Sequence, residues 1–319
     1  MTALKSPFID SHQEGSGALA ALADLIALRH RATRCSLPVN RIATNPMSGQ
    51  LRSTQQGRGI DFSEVRLYQP GDDVRSIDWK VTARTSKTHT KIFQEERERP
   101  VMILVDQGPS LYFGTQIRFK SVAAVRLAAL LGWAALDQGD RVGGIVFSQC
   151  AHREVRPRRN RKSLLRFIHD CIHFNHDLQR PSTKAEETSL ADMIAATQRT
   201  VRHGSLVFII SDFLGFDAET EDRLGQLGRN NEIQGIQIFD PIESDLPPPG
   251  RYTITNGQSI QEIDTASKTA RSKHTQQFID HQSSVQRAFL RCKGGFVAQA
   301  ACEHPEAYLN QLIGQSGRR

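Results

Sequence analysis

Four short apolar runs, separated by helical patterns, limit most strongly what this chain can fold into. They are PVMILVD (100–106), RVGGIVFS (141–148), SLVFIIS (205–211) and EIQGIQIFD (232–240). A strand with one solvated face alternates apolar and polar residues, whereas a continuous apolar strand is buried on both faces. Helical periodicity occupies residues 117–136, 161–174, 189–203 and 219–227, with Lys120, Arg126 and Asp137 assigned to the polar side of the first. Such alternation predicts an α/β, Rossmann-like doubly wound, mostly parallel sheet with helices on both faces. CAHREVRP pairs with the second run as a short edge strand. Further on come a hairpin with Asn256-Gly257 as its two-residue turn, a long helix over 266–291, a last strand GGFVAQA and a closing helix around 305–313.

The N-terminal third has another texture. Residues 1–16 read as a disordered start, and residues 17–34 as an amphipathic helix with Leu19, Leu22, Leu25, Ile26 and Leu28 on one stripe. A polar link over 40–59 follows. The predicted organisation is 1–16 disordered, 17–99 an N-terminal helix with an Arg/Asp-rich region, and 100–319 the α/β domain with its C-terminal helical elaboration.

With 38% hydrophobic and 24% charged residues, a chain of 319 residues can bury a sizeable core. The N-terminus has no apolar leader, and the most apolar stretch, VAAVRLAALLGWAAL, is too short to span a bilayer and carries Arg126. Five scattered cysteines without a CxxC pair argue against a disulfide framework or a structural zinc site. The expected location is the cytoplasm. The net charge of +7 is concentrated in residues 153–166, where seven Arg/Lys face Glu154 alone. Only Phe167 is near to stack a base, so the stretch reads either as a solvated turn or as a nucleic-acid surface. His169 and His173 share a helix face with His176 close by, but lack the HExxH glutamate, so a histidine-bearing surface competes with a metal site. No Walker A segment or GxSxG elbow is present, and no nucleotide is expected.

In doubly wound sheets ligands sit at the carboxyl ends of the strands. There the sequence puts Asp106, Gly108 and Ser110 after one strand, Asp212 after another, and Thr188 before the helix leading to the second. Two carboxylates and two hydroxyls suit a hard divalent ion such as Mg²⁺. The simpler reading is that both aspartates cap strand ends and the helices that follow. The set resembles the metal-ion-dependent adhesion site of von Willebrand factor A domains, Asp-x-Ser-x-Ser with later Thr and Asp ligands. Gly108 stands where the pattern has its first Ser, making the site degenerate. The resemblance implies metal ligation by Asp106, Ser110, Thr188 and Asp212 and capture of a partner's carboxylate.

A second resemblance is longer. Arg66, Tyr68, Pro70, Gly71, Asp72, Asp73, Arg75, Ile77, Asp78, Trp79, Ala83 and Arg84, with the charged run at 95–99, resemble the family called "domain of unknown function 58" over roughly residues 20–300. Family members resemble von Willebrand A domains and are commonly encoded beside MoxR-type AAA+ ATPases. This chain looks like a short version without membrane helices. Read physically, Pro70-Gly71 centres a type II turn, Asp72 and Asp73 crowd its exit, and Arg66, Arg75 and Arg84 are their natural partners. Ile77 and Trp79 face one way if extended, with Trp79 docking the unit on the sheet. The block either fixes geometry or presents charges to a partner. The expected function is a non-catalytic interaction or adaptor module that works with a MoxR-type ATPase, and with other von Willebrand A-like proteins, in protein assembly or maturation. The alternatives are a metal-assisted hydrolase using the same rim and nucleic-acid binding through residues 153–166.

Overall fold

The computed structural model describes residues 17–33, 37, 61–69, 74–94, 99–179, 188–255 and 260–308. The expected disordered start, the turn residues Pro70, Gly71, Asp72 and Asp73, and Asn256-Gly257 lie outside them. The chain divides into two compact units, residues 1–40 with 99–319, and residues 41–98.

The larger unit is built on a six-stranded sheet. Its strands are β3 (Pro100–Asp106), β4 (Arg141–Phe147), β5 (His152–Arg158), β6 (Leu206–Ser211), β7 (Glu232–Phe239) and β10 (Gly295–Ala300), in the order β10-β7-β6-β3-β4-β5. Neighbours are parallel except β5, which pairs antiparallel with β4 at the edge. The period-two geometry of a strand sends successive side chains to opposite faces. Val101, Ile103 and Val105 therefore join Leu206, Phe208 and Ile210 in one core, while Met102, Leu104, Val207 and Ile209 join another. The first core is closed by α4 (Lys120–Asp137) and α5 (Arg161–Asp177), the second by α6 (Leu190–Thr200), α7 (Ala218–Gly228) and α9 (Lys268–Arg291). Each fully buried aliphatic in these strands contributes roughly 1.5–3 kcal/mol. The expected α/β doubly wound architecture is the one observed. A separate hairpin, β8 (Arg251–Thr255) with β9 (Ile260–Asp264), precedes α9.

Two expectations for the N-terminal region change. The predicted helix over 17–34 is two short helices, α1 (Leu22–Ala27) and α2 (Arg29–Ala32), and they belong with the large unit. Leu25 and Leu28 are buried while Leu22 and Ile26 are exposed, so the apolar stripe is narrower than the sequence implied. These helices cover the outer side of α4, and Trp133 Nε1 donates to Leu25 O at 3.0 Å. Covered on its outer side as well, α4 is buried over almost its whole length, Lys120 and Arg126 included, against the expected polar face.

In the smaller unit β1 (Asp61–Leu67) and β2 (His89–Gln94) form an antiparallel pair, with α3 (Trp79–Thr85) between them in sequence. Asp78 is the N-cap of α3: its Oδ1 accepts from Lys80 N at 3.0 Å and Val81 N at 3.2 Å, satisfying two of the helix's orphan donors. Ile77 makes an isolated bridge to Thr90. The block is thus not an extended run. Trp79 is the first helical residue and is 67% exposed.

Candidate functional site

Strand direction brings the carboxyl ends of β3, β6, β7 and β10 to one rim, and the order reverses between β3 and β6. That is the switch point at which doubly wound sheets take their ligands. The loop joining β3 to α4, residues 107–119, and the first residue of α4 are tied to the other three strand ends. Thr115 donates through N (2.7 Å) and Oγ1 to Asp240, which follows β7 and is 1% exposed. Arg118, 5% exposed, donates to the carbonyls of Ala301, Cys302 and Glu303 beyond β10 at 3.2, 3.4 and 2.8 Å. Lys120, the first residue of α4, donates to Asp212 Oδ2 beyond β6 at 3.1 Å and to Glu243 Oε1 at 2.6 Å. Glu243 lies in the short helix α8 (Pro241–Ser244), and its Oε2 accepts from Asp240 N in a capping box.

The Lys120 side chain is 1% exposed. A buried ammonium is tolerated only when it is paired and hydrogen-bonded. Burial works against the charge, but the carboxylates of Asp212 and Glu243 outweigh it and hold the lysine pKa above its ordinary value. Asp106 has no such cation within hydrogen-bonding range among the described residues. Its Oδ1 accepts from Gly108 N at 2.7 Å and its Oδ2 from Ser211 Oγ at 2.6 Å, so both oxygens point inward although the residue keeps some surface. Desolvation first, and then the neighbouring Asp212 charge, push its pKa up to about 7, against the Ser211 and Gly108 hydrogen bonds and the Lys120 charge, which act downward.

The sign of the resulting pH dependence is definite. Folded Asp106 holds its proton to about pH 7, while unfolded aspartate loses it near 3.8. Between those values the folded state binds more protons, so this group's contribution to stability falls as pH rises and levels off above about 7. Asp106→Asn cannot ionise and removes that slope. On raising the pH from 5 to 8 the variant should gain about 2 kcal/mol on the wild type in urea unfolding. A constant difference across that range would show that the carboxyl is not perturbed.

Asp106 and Asp212 are thus brought together as expected, both at strand ends, but Ser110 and Thr188 join no hydrogen bond to either. Ser110 is exposed in the 3₁₀ turn Pro109–Leu111. Thr188 is bonded through its backbone N to Gln149 O at 2.7 Å. Asp212 is also occupied: Oδ1 accepts from Leu214 N at 3.2 Å and Oδ2 from Lys120. A Cβ on Gly108 would sit 3.1 Å from Asp106 Oδ1, so a side chain there would have to shift the Asp106 carboxylate by a few tenths of an ångström. Among the described residues no group of three or more His, Cys, Asp or Glu is placed to hold a metal ion. The Lys120 ammonium already sits on Asp212, so a dication sharing that carboxylate would meet a positive charge within a few ångströms, and the set fits Mg²⁺ poorly.

Sequence reasoning missed Thr115, Arg118, Asp240 and Glu243, and misplaced Lys120. An Asp followed by Pro and, three positions on, by Glu, at the end of an apolar run, is the legible signal for the capping box at Asp240. Of the other expected residues, Arg66 donates to Leu67 O at 3.2 Å, and Arg75 and Arg84 are exposed. Tyr68 is half-buried, its backbone N donating to Thr88 O at 2.9 Å. Their pairing with Asp72 and Asp73 lies outside the described residues. The basic stretch 153–166 is divided between β5 and α5. Arg153 is paired with Asp170 at 2.8 Å and lies over the Phe174 ring, and Arg156 is 3.6 Å from Glu154. His169 and His173 are exposed on α5, with His173 paired to Asp177 at 2.8 Å.

A mostly parallel sheet between two helix layers, with an antiparallel edge strand and polar side chains gathered at the carboxyl-end switch point, defines a doubly wound α/β domain. The chain belongs to the family described as "Protein of unknown function DUF58", whose model matches residues 64–284. Uncharacterized proteins of Mycobacterium tuberculosis and Mycobacterium bovis are each 31% identical to it over 241 residues, covering 74% of this chain and 73% of theirs. Among solved structures, the conserved hypothetical protein BatB from Bacteroides thetaiotaomicron aligns with 69% of this chain and all of its own at 13% identity and a TM-score of 0.40. Among the described residues no helix is long and apolar enough to cross a membrane.

Proposed function

We propose that this chain is a non-catalytic protein-interaction module that acts with a MoxR-type AAA+ ATPase in protein assembly or maturation. The ATPase follows from the family resemblance alone. The observation that carries the interaction reading is the contrast at the switch point. The charged groups there are consumed in internal bonds, while the two loops flanking them present large aliphatics outward. Leu214, in the loop after β6, is 62% exposed, and Ile117, in the loop after β3, is 63% exposed. Loops held on a rigid rim are where such folds place recognition residues. Rim and aliphatics together make a surface suited to an apolar-centred, polar-rimmed interface.

The test is affinity capture with the full tagged chain from cells that contain the ATPase, analysed by mass spectrometry. The ATPase should be recovered, and recovery should drop at least tenfold for Leu214→Glu combined with Ile117→Glu. Exposed substitutions of this kind leave stability within about 0.5 kcal/mol, so lost capture would report the surface rather than the fold. Failure to recover the ATPase, or equal recovery by the variant, counts against the proposal.

A further inference from the structure

The rim of an adhesion-type von Willebrand A domain is organised by a bound dication, and here the same position in the fold holds a side chain instead. We infer that the Lys120 ammonium is the resident cation of this rim, so that the wild-type chain takes no divalent ion there. This goes beyond the interaction reading and does not depend on it.

Three observations carry the inference. Lys120 is the first residue of α4, where the helix dipole disfavours a positive charge, and its side chain is 1% exposed. Only an anionic pocket explains an ammonium in such a place, and the two carboxylates within 3.1 and 2.6 Å come from separate strand ends, 92 and 123 residues away in sequence. Second, Asp212, the carboxylate a dication would need from β6, is already shared between Lys120 Nζ and Leu214 N. A dication on the same carboxylate would face the ammonium across a few ångströms in a poorly screened site. Third, Glu243 is fixed by the capping box with Asp240, so Lys120 also fastens the β7 end to the β6 end. The lysine performs the structural duty of the ion, drawing oxygen ligands from different loops together, through a covalently attached charge that no chelator removes.

The purified full chain is titrated with Mg²⁺, Mn²⁺ and Ca²⁺ to 10 mM while thermal unfolding is followed, with Mn²⁺ binding read in parallel by electron paramagnetic resonance. The wild type should show no saturable shift and no bound Mn²⁺. Lys120→Ala, which leaves Asp212 and Glu243 buried and uncompensated, should lose about 10 °C in Tm and recover a substantial part of it with a divalent ion. If Lys120→Ala does not fold, Lys120→Met combined with Glu243→Gln removes the two charges together. That pair should fold and stay indifferent to metal, and the wild-type Mn²⁺ titration reads divalent-ion binding without any variant. Saturable wild-type binding that Asp212→Asn abolishes would overturn the inference. So would a Lys120→Ala protein as stable as the wild type, or one as indifferent to divalent ions.

Discussion

Gly143→Ala should lower stability by about 2–3 kcal/mol and loosen the edge of the sheet, whereas Gly225→Ala should raise it by up to about 1 kcal/mol. A Cβ on Gly143 would lie 2.5 Å from Pro157 N and 2.5 Å from Val155 O, both backbone atoms of β5. Neither atom can give way without moving the strand. The β4–β5 register shifts at this point, between Val142 and Gly144, and Pro157 has no N–H to offer the ladder. The bulge therefore needs a residue with no side chain opposite it. Gly225 has the same residue type in the opposite circumstance. It lies inside α7 with nothing within 4 Å of a Cβ, so alanine there lowers the unfolded chain's entropy without a clash. Urea unfolding of the two variants side by side checks both signs. Equal effects would mean that glycine's backbone freedom, rather than its missing side chain, is what β4 uses.

Arg118→Ala should cost about 3 kcal/mol and selectively expose the segment after β10. The guanidinium serves three carbonyls at Ala301, Cys302 and Glu303. Removing it leaves the buried Ala301 carbonyl without the donor that replaced water, a penalty larger than that bond's net value, and frees the part-buried acceptors beyond it. Arg118→Lys keeps the charge but not the planar fork, and should recover only part of the loss. Hydrogen exchange should show faster amide exchange at Ala301, whose N–H donates to Phe239 O, with the centre of β6 changed only through the global loss. Uniform acceleration across the sheet would place the role of Arg118 elsewhere.

The sheet was legible because doubly buried strands leave an unambiguous trace. PVMILVD and SLVFIIS have no polar face to offer, and they proved to be the adjacent central strands β3 and β6. The site was legible only by its aspartates. Asp106 and Asp212 declare themselves by ending such strands, but what meets them is decided by tertiary approach. A lone lysine in an apolar helix reads as the solvent side. Lys120 is instead buried where Asp212 and Glu243 arrive from distant loops. Trp79 illustrates the opposite error. Ile77 and Trp79 on either side of Asp78 read as an extended segment, yet the Asp78 side chain caps a helix that begins at Trp79. Local capping chemistry outweighed the apolar pattern.

The most direct test of the interaction module is a titration of the purified ATPase with the purified full chain, with and without EDTA. Saturable binding is expected, unchanged by the chelator and weakened at least tenfold by Leu214→Glu in the exposed rim loop. No saturable binding, or binding that Leu214→Glu leaves intact, would contradict it.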